Sequence, residues 1–534
     1  MLSTKNWSPD FVAPMIAEVI TEHAERMPDA PAFFEGDSVM TWHEYAERSD
    51  AFAGLLIDRD FEPGERIAVL LPDGPGVHAV FVGIEKAGLV IVGIGPRAGD
   101  AEIRHLLSLT GASALVTRPH HRDDDMRAFF EKLRADGLPL REHFVVEGEL
   151  EPDDPLFDGA AAADASLIED RCLGPNDLWL LNSTSGTTGM PKCVTHHQGR
   201  WHYFHELAQQ TGELRRGDVF MSVLPAPFGF GIWTAHITPA LLGSPTVLMS
   251  SFTADRMIEC IERHSVSVLA AVSTQFVMFL NSPALERTDV SSLRALYTGG
   301  EAVPTKRAAE FEEKTGAFVL QFYGSNETGV LSGTSTKDTR EARLTTAGRV
   351  IEGMQVRLYD DTGNDVTASG TGQPACRGPA TSHGYYQDEA ANAKLFTADG
   401  WMLTGDIATI DADGTLRVIG RVADFIIRGG KNISGPVVEE AVMTHPSVAL
   451  AAAVAMPDEV FGERVCVYVE LRDRTSLDLD ALTRHLADRG VGKENFPERL
   501  EVVAELPRSS GGKVAKGQLR EDIKRRVAAE SRSA

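Results

Sequence analysis

Two short apolar runs, IAVLLP (67–72) and LVIVGI (89–94), flank a stretch from Val77 to Ala87 with helical patterning. No other feature constrains the fold of this chain as strongly. A strand, a helix and a second strand at this spacing close as a right-handed βαβ unit, so the two strands lie parallel. Upstream, Thr41 and Glu44 spell a capping box. Behind it Trp42, Tyr45, Ser49, Phe52 and Leu56 recur at spacings of three and four, which marks one helix face. Pro63-Gly64 ends that pattern.

Further strands are expected at 113–118, 178–183, 246–250, 266–272, 294–298 and 317–322. The texture changes over 350–428, where short alternating runs are divided by Asp-Gly and Thr-Gly turns. Asp413-Gly414, between DIATID and TLRVIG, reads as a hairpin turn. The tail mixes strands at 450–456, 464–471 and 499–504 with helices at 436–443 and 478–488, which suits a separate α+β unit. The expected fold class is α/β. It has a large N-terminal domain with βαβ-built parallel sheets and a small β-rich subdomain, followed by a C-terminal α+β domain.

The 534 residues exceed one typical domain, and 43% apolar with 24% charged residues is the balance of a globular chain with a sizeable core. The formal net charge of −25 comes with no long basic run, which argues against a nucleic-acid partner or an anionic membrane surface. An anionic small substrate stays open, because a local cavity can oppose the global charge. The five cysteines Cys172, Cys193, Cys260, Cys376 and Cys466 are scattered and form no C-x-x-C. They read as reduced thiols, and with no signal-peptide pattern in MLSTKNWSPDF a cytoplasmic location is expected. Residues 219–254 contain no Asp, Glu, Lys or Arg, but Pro225, Pro227, Pro239 and Pro245 interrupt them. A spanning helix tolerates this poorly, so no stable membrane anchor is expected and a buried segment lining an apolar cavity fits better.

The stretch TSGTTGMPK (184–192) follows the apolar run LWLLN. Small residues let the backbone approach an anion, hydroxyls and N–H groups donate to it, and Lys192 adds a point charge. Thr184, Ser185, Gly186, Thr187, Thr188, Gly189 and Lys192 are therefore a candidate phosphate cradle. The spacing is not that of a Walker loop, because Met190-Pro191 separates Gly189 from Lys192. His196, His197, His202 and His205 cluster nearby, and His202 with His205 lie at i and i+3. No Cys or carboxylate pattern completes a metal site there, so packing or surface histidines are the default.

With YTGGEAVP (297–304), QFYGSNETG (321–329), GWMLTGD (400–406), GRVADFIIRGGKNIS (420–434), PDEVFGERV (457–465) and PRSSGGKVAK (507–516), that loop resembles the signature set of the adenylate-forming enzymes. These are the acyl-CoA synthetases, luciferases and peptide-synthetase adenylation domains, and the pattern is nearest to aryl or cyclic acid–CoA ligases. The resemblance covers most of the chain in the family's order. It implies an N-terminal domain over 1–423 holding ATP and the acid, and a mobile C-terminal lid over 424–534 hinged at Asp424.

By this resemblance Glu327 is the magnesium ligand, a hard oxygen suited to Mg²⁺ on triphosphate. On its own it is equally a surface carboxylate. Tyr323, with Gly324, would stack on adenine, and Gly299, Gly300 and Glu301 match the turn that contacts it. Asn326 stands where the family usually has Thr, and its amide can still donate to a phosphate. Asp406 would accept from both ribose hydroxyls with Arg421 in support. Lys513, in a glycine-flanked loop, would bridge the substrate carboxylate and the α-phosphate. Catalytic roles thus fall to Lys513, Glu327 and Lys192.

Gly429, Gly430 and Lys431 match the lid loop of the second half-reaction. ISGPVV (433–438) departs from the family's pattern, which has Pro one position earlier and Glu at Val437. Cys193 replaces the usual Gly after the loop lysine and is expected to pack. The segment PAPFGFGIWTAH (225–236) falls at the family's substrate gate. Phe228, Phe230 and Trp233, with Gly299 and Gly324, would line the acyl cavity. No acidic residue there awaits an ammonium, so an uncharged acyl group is favoured over an amino acid. Ring richness favours an aryl or alicyclic acid over fatty or steroid-side-chain acids.

The expected activity is an ATP-dependent acid–CoA ligase, an AMP-forming acid–thiol ligase using ATP, Mg²⁺ and coenzyme A. Loading of an acyl carrier protein in trans is the alternative. The expected partners are the carboxylic acid and coenzyme A, with a homodimer left open.

Overall fold

The computed structural model describes residues 13–534 apart from 149, 151–153, 158–167, 169–170, 172, 185–189, 422–423, 430, 473–474, 509–512 and 534. The βαβ expectation holds. Arg66–Leu70 and Val90–Gly93 pair in parallel, joined by the helix Pro75–Lys86. They belong to a six-stranded sheet ordered Cys193–His196, Leu180–Ser183, Val90–Gly93, Arg66–Leu70, Ala114–Thr117, Glu142–Val145. All of its pairings are parallel except that of Cys193–His196 with Leu180–Ser183.

A nine-stranded sheet lies beside it, ordered Arg349–Val350, Gly329–Gly333, Phe318–Ser325, Ala295–Gly299, Val268–Ala270, Phe220–Ser222, Thr246–Leu248, Pro31–Glu35, Ser38–Thr41. Its middle is parallel and its ends are antiparallel. The helix Trp42–Asp58 is capped by Thr41 and Glu44 as expected, and buries Trp42, Tyr45, Ser49, Phe52 and Leu56. The largest apolar cluster draws on residues of both sheets and buries Phe52, Phe81, Trp179 and Tyr297 almost completely. Each of these aromatic side chains stabilises the fold by about 2 kcal/mol or more through burial.

Residues 355–421 form an antiparallel sheet, and Asp413-Gly414 turns between Asp406–Ile410 and Leu416–Arg421. The C-terminal unit packs two helices, Gly435–Val442 and Leu479–Asp488, against the long hairpin Val448–Asp458/Gly462–Leu471. A final helix, Lys516–Ser533, which no sequence pattern flagged, covers that sheet's other face through Leu519 and Ile523. Among the described residues no helix is long and apolar enough to cross a membrane. The charge-free stretch folds instead into buried strands and short helices, including a π-helix over Ile232–Ile237.

Candidate active site

Parallel sheets present ligand-binding turns at the C-terminal ends of their strands, and three predicted motifs leave such ends here. Ala295–Gly299 runs into Gly300 and Glu301, Phe318–Ser325 carries Tyr323 and Gly324 into the Glu327 turn, and Leu180–Ser183 runs into Thr184. Gly324 approaches the Gly329 carbonyl too closely for any side chain. Thr184, Gly299, Gly300, Glu301, Tyr323, Gly324, Asp406, Arg421, Asp424 and Lys513 all line one cavity of about 1460 Å³ between the N-terminal and C-terminal units. That volume exceeds the ~300–1,000 Å³ of a usual small-ligand site, and suits a nucleotide together with a second substrate. Ser185, Gly186, Thr187, Thr188, Gly189 and Gly430 lie outside the described residues.

Within the cavity the Tyr323 hydroxyl donates to Asp406 Oδ2 at 2.6 Å, and Arg421 Nε stands 3.3 Å from Asp406 Oδ1. Burial raises the Asp406 carboxyl pKa, opposed by Arg421 and by the Tyr323 hydrogen bond. The arrangement is an anionic acceptor braced from two sides. Across from it, Lys513 Nζ donates to the Gly300 carbonyl at 2.8 Å, so a lysine of the C-terminal unit reaches the N-terminal turn. Its dense surroundings push the ammonium pKa down, and Arg421 adds to this. Glu301 is pushed up by burial and opposed by Lys513, and its carboxylate accepts from the Thr274 N–H at 3.2 Å.

Lys192 and Glu327 are joined through Tyr385, and neither they nor Asn326 is among the residues that line the cavity. Lys192 Nζ lies 4.6 Å from the centre of the Tyr385 ring, and the Tyr385 hydroxyl donates to Glu327 Oε1 at 2.8 Å. Asn326 Oδ1 accepts from the Gly229 N–H at 3.0 Å, which leaves the amide nitrogen as a donor and ties this turn to the gate. Glu327 offers one hard oxygen beyond the one that Tyr385 holds. That fits Mg²⁺, which usually takes one or two carboxylates plus phosphate oxygens and water.

Of the residues expected at a substrate gate, Phe230 and Trp233 are in contact, and none of Phe228, Phe230 and Trp233 is among the residues that line the cavity. Phe228 precedes the short helix Gly229–Gly231, Phe230 stacks on Trp233 at 5.6 Å, and Trp233 meets Tyr297 and Phe322 edge-on at 5.2 and 5.0 Å. Trp233 is 4% exposed, and its ring belongs to the main apolar cluster. Gly429 and Lys431 are not brought to the cavity. They sit on the hairpin Phe425–Arg428/Lys431–Ser434, where the Gly429 N–H donates to Phe461 O at 2.8 Å and Lys431 is exposed. Beside them, Pro436 falls in the first turn of the helix Gly435–Val442, so the departure at 433–438 leaves the helix start intact.

Cys193 is buried and burial pushes its thiol up to about 12, which fits packing and no nucleophilic role. His202 and His205 are lowered to about 4 by burial. Sequence reasoning missed Tyr385 and Arg200. Arg200 is 0% exposed and donates to the Ala380 and Glu327 carbonyls at 2.8 and 3.3 Å. The only signal for Tyr385 was a Tyr-Tyr pair after glycine in the polar stretch SHGYYQDE. Nothing local marked Arg200.

A family model described as AMP-binding enzyme matches residues 20–386, and one described as AMP-binding enzyme C-terminal domain matches 437–513. The chain is 29% identical over 514 residues to a 2,3-dihydroxybenzoate-AMP ligase of Bacillus subtilis, covering 96% of this chain and 94% of that one. It is 29% identical over 525 residues to a medium-chain fatty-acid–CoA ligase of Escherichia coli, covering 96% and 91%. In fold it is similar to an anthranilate CoA ligase solved with anthranoyl-AMP, with a TM-score of 0.86 at 22% identity over 97% of this chain and 99% of that one. A model spanning more than half the residues decides the matter, and the chain belongs to the AMP-binding enzyme family as an adenylate-forming acid ligase of the AMP-forming type.

Proposed function

We propose that this protein is an acid–CoA ligase for a hydrophobic carboxylic acid, aromatic or alicyclic. The observation that carries the reading is the reach of Lys513 Nζ to the Gly300 carbonyl at 2.8 Å, opposite the Tyr323–Asp406–Arg421 group. That reach supports a role for Lys513 as the cation between the substrate carboxylate and the α-phosphate. In the first step a carboxylate oxygen attacks the α-phosphorus of ATP, forming the acyl-adenylate and releasing pyrophosphate. Lys513 stabilises the charge that gathers on the phosphoryl and carboxylate oxygens. Asp406 accepts from the ribose hydroxyls, Tyr323 faces adenine with Gly299, Gly300 and Glu301, and Lys192 with the loop 184–189 takes the outer phosphates. Glu327 would hold Mg²⁺ through the carboxylate oxygen that Tyr385 leaves free, and the ion would supply charge neutralisation on the triphosphate.

In the second step the thiol of coenzyme A attacks the acyl carbonyl and AMP leaves. The lid, residues 424–534, turns about Asp424 to bring Gly429, Gly430 and Lys431 inward in place of Lys513. Asp424 pairs with Arg520 at 3.0 Å and with Lys516 at 3.8 Å, so both partners travel with it. The ring-lined gate and the absence of acidic residues over 219–254 support an uncharged, cyclic acyl group. Relatives named for salicylate and for a substituted naphthoate support the same class. The four described cysteines are free and buried, which suits a cytoplasmic enzyme.

Loading of a carrier protein is the second reading, favoured by the departure at 433–438 and by the aryl-AMP ligases among the relatives. The test is pyrophosphate release across aryl, alicyclic, fatty and steroid-type acids, with and without coenzyme A, with products read by mass spectrometry. An acyl-CoA product from a cyclic acid supports the proposal. Acyl-adenylate that persists despite coenzyme A overturns it in favour of a carrier acceptor.

A further inference from the structure

Lys192 and Glu327 carry opposite charges on neighbouring turns, yet the contact that joins them runs through a third side chain. The Lys192 ammonium rests over the face of Tyr385 at 4.6 Å, a cation–π distance, and the phenol hydroxyl holds Glu327 Oε1 at 2.8 Å. The ring stands between the two charges as a spacer.

The spacer is itself held rigidly. The Tyr385 N–H donates to Asn392 Oδ1, and Asn392 Nδ2 donates back to the Tyr385 carbonyl, both at 2.8 Å. On either side, the Thr195 N–H donates to Gly384 O at 3.0 Å and the Tyr386 N–H to Cys193 O at 2.8 Å. The segment is therefore laced to the strand that directly follows Lys192. Its other end is laced to the Glu327 turn. The Ser382 N–H donates to Glu327 O at 2.8 Å, and buried Arg200 bridges the Ala380 and Glu327 carbonyls. The distance between lysine and carboxylate is thus set by backbone pairing, with the phenol filling it.

We propose that Tyr385 is a positioning residue that keeps Lys192 and Glu327 apart and preset for Mg·ATP. Without it the two would close into an ion pair, and incoming phosphate and metal would each have to displace the other's protein partner. With it, Lys192 is lent to a ring face, a weaker partner than phosphate, and Glu327 keeps one oxygen uncommitted and the other oriented. Hydrogen-bond partners that orient metal-ligating carboxylates commonly govern metal affinity in this way. The inference rests on the reading of Glu327 as the metal-facing carboxylate.

The test is equilibrium binding of a fluorescent N-methylanthraniloyl ATP, titrated with and without Mg²⁺, on Tyr385→Phe, Tyr385→Leu and Glu327→Gln, with melting curves to verify folding. Tyr385→Phe keeps the spacer and removes only the hydroxyl. It should leave Mg-free binding unchanged and reduce the Mg²⁺ enhancement about tenfold. Tyr385→Leu removes the ring as well and should weaken binding under both conditions. A full Mg²⁺ enhancement in Tyr385→Phe overturns the proposal. So does an equal loss with and without Mg²⁺, which would make the tyrosine a packing residue. An unchanged enhancement in Glu327→Gln instead overturns the metal-facing reading, and the proposal with it, whatever Tyr385→Phe does.

Discussion

Replacing Gly300 with alanine should separate the two half-reactions. Gly300 has φ +77°, and holding a residue with a Cβ in that region costs about 1–2 kcal/mol. A Cβ built there lies 2.8 Å from Lys513 Nζ and 3.3 Å from its Cε. Those atoms end a flexible side chain, so the lysine yields and its 2.8 Å bond to the Gly300 carbonyl is lost. Removing one preorganised donor from developing charge typically costs about 2.7–4 kcal/mol, or 10²–10³ in rate. The folding cost is the smaller of the two, so the melting temperature should fall by only a few degrees while adenylation nearly stops. The assay is single-turnover pyrophosphate release for the first step, then coenzyme A added to synthetic acyl-adenylate for the second. Gly300→Ala should be crippled in the first and lose far less in the second, where only its contact with adenine is disturbed. Full adenylation in a folded variant would refute the steric reasoning. Equal loss in both steps would refute the assignment of Lys513 to the first step alone.

Three more perturbations test other links. Asp406→Asn removes the charge that accepts hydrogen bonds beside Tyr323 and Arg421 and should cost about 2 kcal/mol, a roughly 30-fold rise in KM for ATP with little change in kcat. A larger effect on kcat than on KM would contradict the ribose role. Trp233→Ala empties a site that is 4% exposed in the parent. It should destabilise by about 3–5 kcal/mol and extend the accepted acids toward bulkier rings, read as kcat/KM across a size series. Acid stability should reflect buried histidines. His78 and His236 face each other through Nδ1 atoms 3.1 Å apart, and burial drives His78 well below its ordinary value and His236 to about 3. His197, His202 and His205 are lowered to about 4. Below pH ~6.5 the unfolded chain binds protons that the folded chain refuses, so stability falls with falling pH from there down to about 4, by about 1.4 kcal/mol per pH unit for each such histidine. A melting temperature flat across that window would contradict it, and His236→Gln should shallow the slope.

Much of the architecture was legible because it rests on short-range periodicity. The Thr41–Glu44 cap, the parallel pair around Val77–Ala87 and the Asp413-Gly414 hairpin each depend on residues within a few turns of one another. The site was legible where a motif lies at a strand end, as with Gly299–Glu301 and Tyr323–Glu327, because a turn after a buried strand has few places to go. The π-helix at Ile232–Ile237 was not legible, since no local pattern of residue types separates its wider turn from an ordinary α-helical one. Nor was Tyr385, whose importance comes from partners 193 and 58 positions away at Lys192 and Glu327.

By itself the sequence determined the capped helix Trp42–Asp58, the parallel strands on either side of Pro75–Lys86 and the Asp413-Gly414 hairpin, and that residues 219–254 hold no acid. Only the tertiary structure decided that Pro31–Glu35 pairs with Thr246–Leu248, that Trp233 packs edge-on against Tyr297 and Phe322, and that Lys513 rather than Lys431 faces the cavity. The physical reason is one of range. Backbone propensity and hydrophobic period act over a few residues, whereas strand register, ring packing and the approach of one domain to another are settled by contacts between segments hundreds of residues apart, whose energies no local pattern encodes.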